Sequence, residues 1–97
     1  MVISVTTSRV TPEQAQQVDE FLQGFLPEVQ REPGVVAIHH YYRPDSGEST
    51  TLIVWETDEA RQAYRQSALI EEAAAFEWKL GLASTREAYP LTYAGQQ

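Results

Sequence analysis

The stretch Glu32-Pro33-Gly34, Val35-Val36-Ala37-Ile38-His39-His40-Tyr41-Tyr42-Arg43, Pro44-Asp45-Ser46-Gly47 decides how this chain folds. It reads as a turn, a β-rich run and a second turn. Thr50 to Trp55 then supplies another β-rich run, and Glu56-Thr57-Asp58-Glu59-Ala60 opens a helix. β-branched and aromatic residues favour the pleated strand surface, and the Pro, Gly, Asp and Ser clusters mark where the chain reverses.

If Pro44 to Gly47 form a four-residue loop with Arg43 opposite Glu48, the register of the hairpin follows. His40 then faces Thr51, Ile38 faces Ile53 and Val36 faces Trp55 on one side of the sheet. Tyr41, His39, Ala37 and Val35 meet Thr50, Leu52, Val54 and Glu56 on the other. A shift of one residue would exchange His39 for His40, because side chains alternate with period two. In either register both faces are largely apolar, so the sheet needs two covers, helices on one side and a second subunit on the other.

Upstream, Val2 to Thr7 is a short β-branched run that suits a first strand ending near Val10. Thr11, Pro12 and Gln14 spell a capping box with proline at the first helical position. Ala15, Val18, Phe21, Leu22, Phe25 and Val29 recur at helical spacing and form one apolar stripe. Pro27 predicts a kink or break, and Pro33-Gly34 ends the segment. Downstream, Thr57 or Asp58 caps a helix that places Ala60, Ala63, Tyr64 and Ser67 on one side. A further helical stretch covers about residues 69–80, with Gly81 as its left-handed stop. Thr85 to Tyr93 reads as a fourth strand with Pro90 at an edge or bulge. The order is β-α-β-β-α-β, an α+β ferredoxin-like antiparallel sheet with helices on one face.

The 97 residues, 42% hydrophobic, make one domain over 1–97 and bury only a modest surface alone, which again favours pairing with a second copy. Seven basic residues against fourteen acidic ones give a net charge of −7, which opposes binding to a phosphate backbone and argues against nucleic acid. No apolar run is long enough to span a bilayer, and Met1-Val2-Ile3-Ser4-Val5 lacks a signal-like core, so a cytoplasmic protein away from membranes is expected. With no cysteine, disulfides, thiolate nucleophiles and cysteine-bound metals are all excluded. No glycine-rich phosphate loop, zinc spacing or serine-histidine-acid signature occurs, so neither a cofactor nor a metal is expected.

The strand, hairpin, strand and helix order, with Trp55 at the strand exit, resembles the middle of the antibiotic biosynthesis monooxygenase-like family. Members of this family are small α+β domains that dimerise into a shared barrel. The resemblance implies a homodimeric α+β barrel with a ligand cleft between sheet and helices. Haem-degrading relatives use an asparagine, a tryptophan and an axial histidine. This chain has no asparagine, and Tyr64 and Ala74 stand where their tryptophan and histidine are expected, which argues against haem degradation by that route.

The leading expectation is therefore a cofactor-independent monooxygenase acting on a flat phenolic or quinol-like compound. Trp55 and Tyr64 are the aromatic walls, Ile38, Ile53 and Phe76 complete the lining, and His40 is the base, with His39 its substitute if the register shifts. Core filling by Trp55, Tyr64 and Phe76 is the competing explanation, and a non-catalytic binding or structural dimer is the competing function. His39 and His40 are adjacent on a strand and cannot share a pocket. Arg61, Arg65 and Arg86 are candidates to hold an anionic oxygen or to pair with surface Glu. Tyr41, Tyr42, Tyr89 and Tyr93 suit interface packing.

Overall fold

A computed structural model describes residues 1–95. Its elements run β1 (Val2–Arg9), α1 (Pro12–Gln30), β2 (Val35–Arg43), β3 (Glu48–Trp55), α2 (Asp58–Arg65), α3 (Ala68–Leu80) and β4 (Ser84–Pro90). The four strands form one antiparallel sheet in the order β2-β3-β1-β4. The architecture is the expected α+β ferredoxin-like one.

Local chemistry sets the helix boundaries. Gln14 donates its backbone N–H to Thr11 Oγ1 at 3.1 Å, and Thr11 donates its own to Gln14 Oε1 at 3.0 Å, which closes the capping box. Two orphan donors at the helix start are satisfied at once. Thr57 caps α2 by a single bond, its hydroxyl accepting from the Ala60 N–H, and Gly81, at φ 70°, ends α3 in the left-handed region. Of the kink or break expected at Pro27, the break does not occur, and α1 runs on through it to Gln30. Pro27 and Gln23, whose carbonyl loses its partner, both lie on the exposed side, where water can take the bond.

The hairpin register matches expectation from Arg43↔Glu48 to Ala37↔Val54. It then slips, so that Val35 opposes Trp55 and Val36 is bulged out, 44% exposed. The cause is the entry turn: Glu56 donates its backbone N–H to the Gly34 carbonyl at 2.7 Å, which fixes Gly34 opposite the strand exit and leaves one residue too many. On α2, Ala60 and Tyr64 are half-buried but Ala63 is exposed, and Ser67, also half-buried, lies beyond α2 at the start of α3. β4 ends at Pro90 and not at Tyr93, because Val2, its partner there, is the first residue of β1. One bond from Leu91 N–H to the Met1 carbonyl follows.

Phe25, Val29, Ile53 and Trp55 make the core between α1 and the sheet, and Phe21, Leu22, Leu26, Ile38, Tyr64 and Leu69 pack around it. The helix-facing positions of β1 are Ser4, Thr6 and Ser8, opposite Ile53, Thr51 and Ser49 of β3. The alternate positions, Ile3 and Val5, sit beside Val54 and Leu52 on the other face, together with Ala37 of β2. The helices therefore cover the hydroxyl-bearing side of β1, and its apolar side has no cover among the described residues. Burying hydroxyls while leaving aliphatic side chains open inverts the usual pattern of a half-solvated sheet.

Candidate functional site

The inversion in β1 creates the site. Short hydroxyl side chains on the sheet cannot reach the helices, and a cavity of about 140 Å³ is left between the two layers. Its floor carries Ser4, Thr6, Ser8, Ser49 and Thr51. The opposite wall is aromatic: Phe21 of α1 stacks on Phe76 of α3 with ring centres 4.0 Å apart and planes within 7°, and Phe25 lies 4.9 Å from Phe21. An apolar wall facing a row of hydroxyls suits a ligand with a flat hydrophobic face and a polar edge.

Charged groups sit at the margin. Arg86 donates to Glu77 Oε1 at 2.6 Å, and both side chains line the cavity. Arg61 donates its Nε–H to Asp58 Oδ1 at 2.7 Å, and Arg61 and Arg65 also reach the lining from α2. Of the arginines considered from sequence, Arg61 and Arg86 are thus paired with carboxylates while still bordering the cavity.

Tyr64, Ile53 and Phe76 all line this cavity. Burial pushes the Tyr64 phenol up to about 12, with the Arg86 guanidinium as the largest opposing influence. Tyr64 is therefore protonated at neutral pH, and its hydroxyl has a proton to offer a ligand. Trp55 is fully buried and stands behind the lining, its ring centre 5.3 Å from that of Tyr64, with its Nε1–H donated to Ser4 Oγ at 3.1 Å. It positions Tyr64 and a floor hydroxyl and does not present a face to the cavity. Ile38 packs on the core beside Ile53.

Neither histidine lines the cavity. His39 is exposed on the opposite sheet face, across from Leu52. His40 is on the helix-facing side but one strand further out, in a surface groove with Ala15, Gln16, Asp19, Tyr41, Tyr42 and Ser49. Its Nδ1 lies 3.1 Å from Thr51 Oγ1 and its Nε2 3.4 Å from Ser49 Oγ. Burial holds its pKa below the ordinary histidine value, against the raising effects of the Asp19 carboxylate and of hydrogen bonding at the Thr50 backbone.

Sequence reasoning missed the hydroxyl floor and Glu77. The floor had a signal, since Ser4, Thr6 and Ser8 alternate with Ile3, Val5 and Thr7 at strand period. Glu77 had none, because its role depends on α3 packing beside Arg86 of β4. Of the tyrosines, Tyr41 and Tyr89 are each 46% exposed, Tyr42 lines the His40 groove, and Tyr93 lies beyond β4, largely exposed.

Known structures share this architecture. A Deinococcus radiodurans protein described as a candidate antibiotic biosynthesis monooxygenase superposes with a TM-score of 0.87 at 18% identity, covering 100% of this chain and 98% of that one. Rv0793 from Mycobacterium tuberculosis gives 0.74 at 19% identity, with 97% and 98% covered. An MhuD variant with two manganese protoporphyrin IX molecules bound per active site gives 0.80 at 17% identity, with both chains covered completely. At such identities the likeness establishes the fold alone. No curated protein matches the sequence. The sequence profile of the family described as antibiotic biosynthesis monooxygenase matches residues 1–75, which span β1 through most of α3, and the chain belongs to that family.

Proposed function

We propose that this protein is a cofactor-independent monooxygenase that oxidises a flat phenolic or quinol-type small molecule with dioxygen, and that the cavity between sheet and helices is its active site. The observation that carries the reading is the pairing of a stacked Phe21–Phe76 wall with the hydroxyl floor of β1 and β3. An aromatic ring lies against the former while its oxygen substituents meet the latter. Tyr64 donates to a substrate oxygen, and Arg61 and Arg65 at the margin favour the anion.

In this mechanism loss of a phenolic proton gives an electron-rich anion that reacts directly with dioxygen. For an anthrone-type substrate the ring CH2 becomes a carbonyl, with one oxygen atom retained and the other leaving as water. The protein supplies orientation and exclusion of water. The porphyrin in the MhuD variant raises the question of haem, but among the described residues no histidine lines the cavity and Ala74 is exposed on α3. The donor set does not fit an axial haem ligand.

A second copy completes the account. The uncovered face of Ile3, Val5, Ala37, Leu52 and Val54 suits an isologous contact with the same face of a partner, giving a homodimeric barrel. A non-catalytic binding module is the competing function, favoured by the absence of a free imidazole in the lining. Oxygen consumption in metal-free buffer with anthrone and dihydroxynaphthalenes separates the two. Uptake together with quenching of Trp55 in a Trp78→Phe background supports the monooxygenase, whereas quenching without uptake supports the binding module.

A further inference from the structure

His40 stands outside the cavity, yet its nearest polar neighbours line it. Nδ1 is 3.1 Å from the hydroxyl of Thr51, and Nε2 is 3.4 Å from that of Ser49, and both residues belong to the cavity floor. On its other side the imidazole borders a surface groove shaped by Ala15, Gln16 and Asp19 of α1 and by Tyr41 and Tyr42 of its own strand. A titratable ring thus bridges the floor of one cavity and an outer groove, with a single hydroxyl between it and the site.

We propose that His40 takes the substrate proton through the Thr51 hydroxyl and passes it to solvent by way of the groove, acting as a positioning residue that never touches substrate. This inference rests on the monooxygenase reading of the cavity. In the tautomer with its proton on Nε2, His40 donates to Ser49 and accepts at Nδ1 from Thr51. The phenolic O–H bond breaks as its proton moves to Thr51 Oγ1, while the proton that Thr51 carried forms the Nδ1–H bond. The products are a phenolate in the cavity and an imidazolium behind the floor, and no electrons are transferred. The Nε2 proton then leaves by way of the Ser49 hydroxyl, which also borders the groove, to water there, and proton exchange with that water returns the ring to its starting Nε2–H tautomer for the next turnover.

The surroundings suit this task. Burial keeps the ring neutral and ready to accept at neutral pH. Asp19, the charged group facing it from α1, steadies the imidazolium once formed, and Tyr41 and Tyr42 are the titratable neighbours on β2. From β3 its polar partners among the described residues are the Ser49 and Thr51 hydroxyls and the Thr50 backbone. Thr51 matters because replacing it by valine keeps the shape and removes the bridge.

The test is the pH profile of kcat for oxygen uptake with anthrone, measured for wild type, Thr51→Val, Thr51→Ser and His40→Gln. Wild-type kcat should rise with pH through one ionisation. Thr51→Val and His40→Gln should each lose about a hundredfold in kcat and that pH dependence, with KM little changed, and the double variant should lose no more. Thr51→Ser, which restores the hydroxyl, should recover most of the rate. Wild-type uptake with Thr51→Val unchanged in rate and profile overturns the proton path and leaves the monooxygenase reading intact. A wild type without uptake overturns both.

Discussion

His40 Nδ1 and Thr51 Oγ1 lie 3.1 Å apart, each on a neighbouring strand of one antiparallel pair, so the imidazole is coupled to the cavity floor by sheet register alone. The same contact buries the ring, which sets a stability signature. Because its folded-state pKa lies below 6.5, the unfolded chain takes up this proton first as pH falls. The contribution of His40 should be fully present above pH 6.5 and diminish below it, levelling once the folded-state pKa is passed. Urea midpoints at pH 7.5 and pH 5 should therefore differ less in His40→Gln than in wild type. Equal differences would mean that the ring is not desolvated.

Gly34 should tolerate no side chain. Its φ is +87°, and a Cβ there would stand 2.5 Å from the Cβ of Ala60 on α2. Gly34→Ala should cost about 2 kcal/mol or more from backbone strain and overlap combined. Adding Ala60→Gly should recover the steric part and leave the strain. A melting temperature unchanged in the single variant would contradict the close approach of turn and helix.

At the start of α1, Thr11→Ala should cost about 0.5 to 2 kcal/mol by opening the capping box with Gln14. Ligand binding should not change. Thermal unfolding of the variant beside wild type checks the first point, and a titration with dihydroxynaphthalene checks the second.

The open sheet face predicts a homodimer. Sedimentation at micromolar concentration should give twice the chain mass for wild type, and Leu52→Glu, which places a charge among Val5, Ala37 and Val54, should shift it to monomer. A folded wild-type monomer at that concentration would remove the barrel.

Much of this architecture was legible in the sequence because it depends on local signals. Thr11-Pro12 and Gly81 mark helix ends, and Pro44 to Gly47 fixes the loop length and with it the alignment of His40 with Thr51. The bulge at Val36 was not legible, since a bond between Gly34 and Glu56, on opposite sides of the hairpin, produces it. The site divides in the same way. Ile53 follows from the hairpin register, and Tyr64 and Phe76 from the cleft that the family resemblance implies, whereas the withdrawal of Trp55 behind the lining depends on its bond to Ser4, and the place of His40 depends on how far α1 extends across the sheet. Pairings between distant segments, here α1 with α3 and α3 with β4, decide which side chains reach a shared space.

An aromatic ligand should occupy the space between the hydroxyl floor and the Phe21–Phe76 wall. Intermolecular nuclear Overhauser effects from bound 1,8-dihydroxynaphthalene to the isotope-labelled protein test it most directly. The ligand ring protons should show contacts to the methyl groups of Ile53, Ile70 and Leu82, all of which line the cavity, and to the ring of Phe76. Contacts confined to Val5, Leu52 and Val54 on the opposite sheet face, or no contacts from a ligand shown to bind, would contradict the assignment.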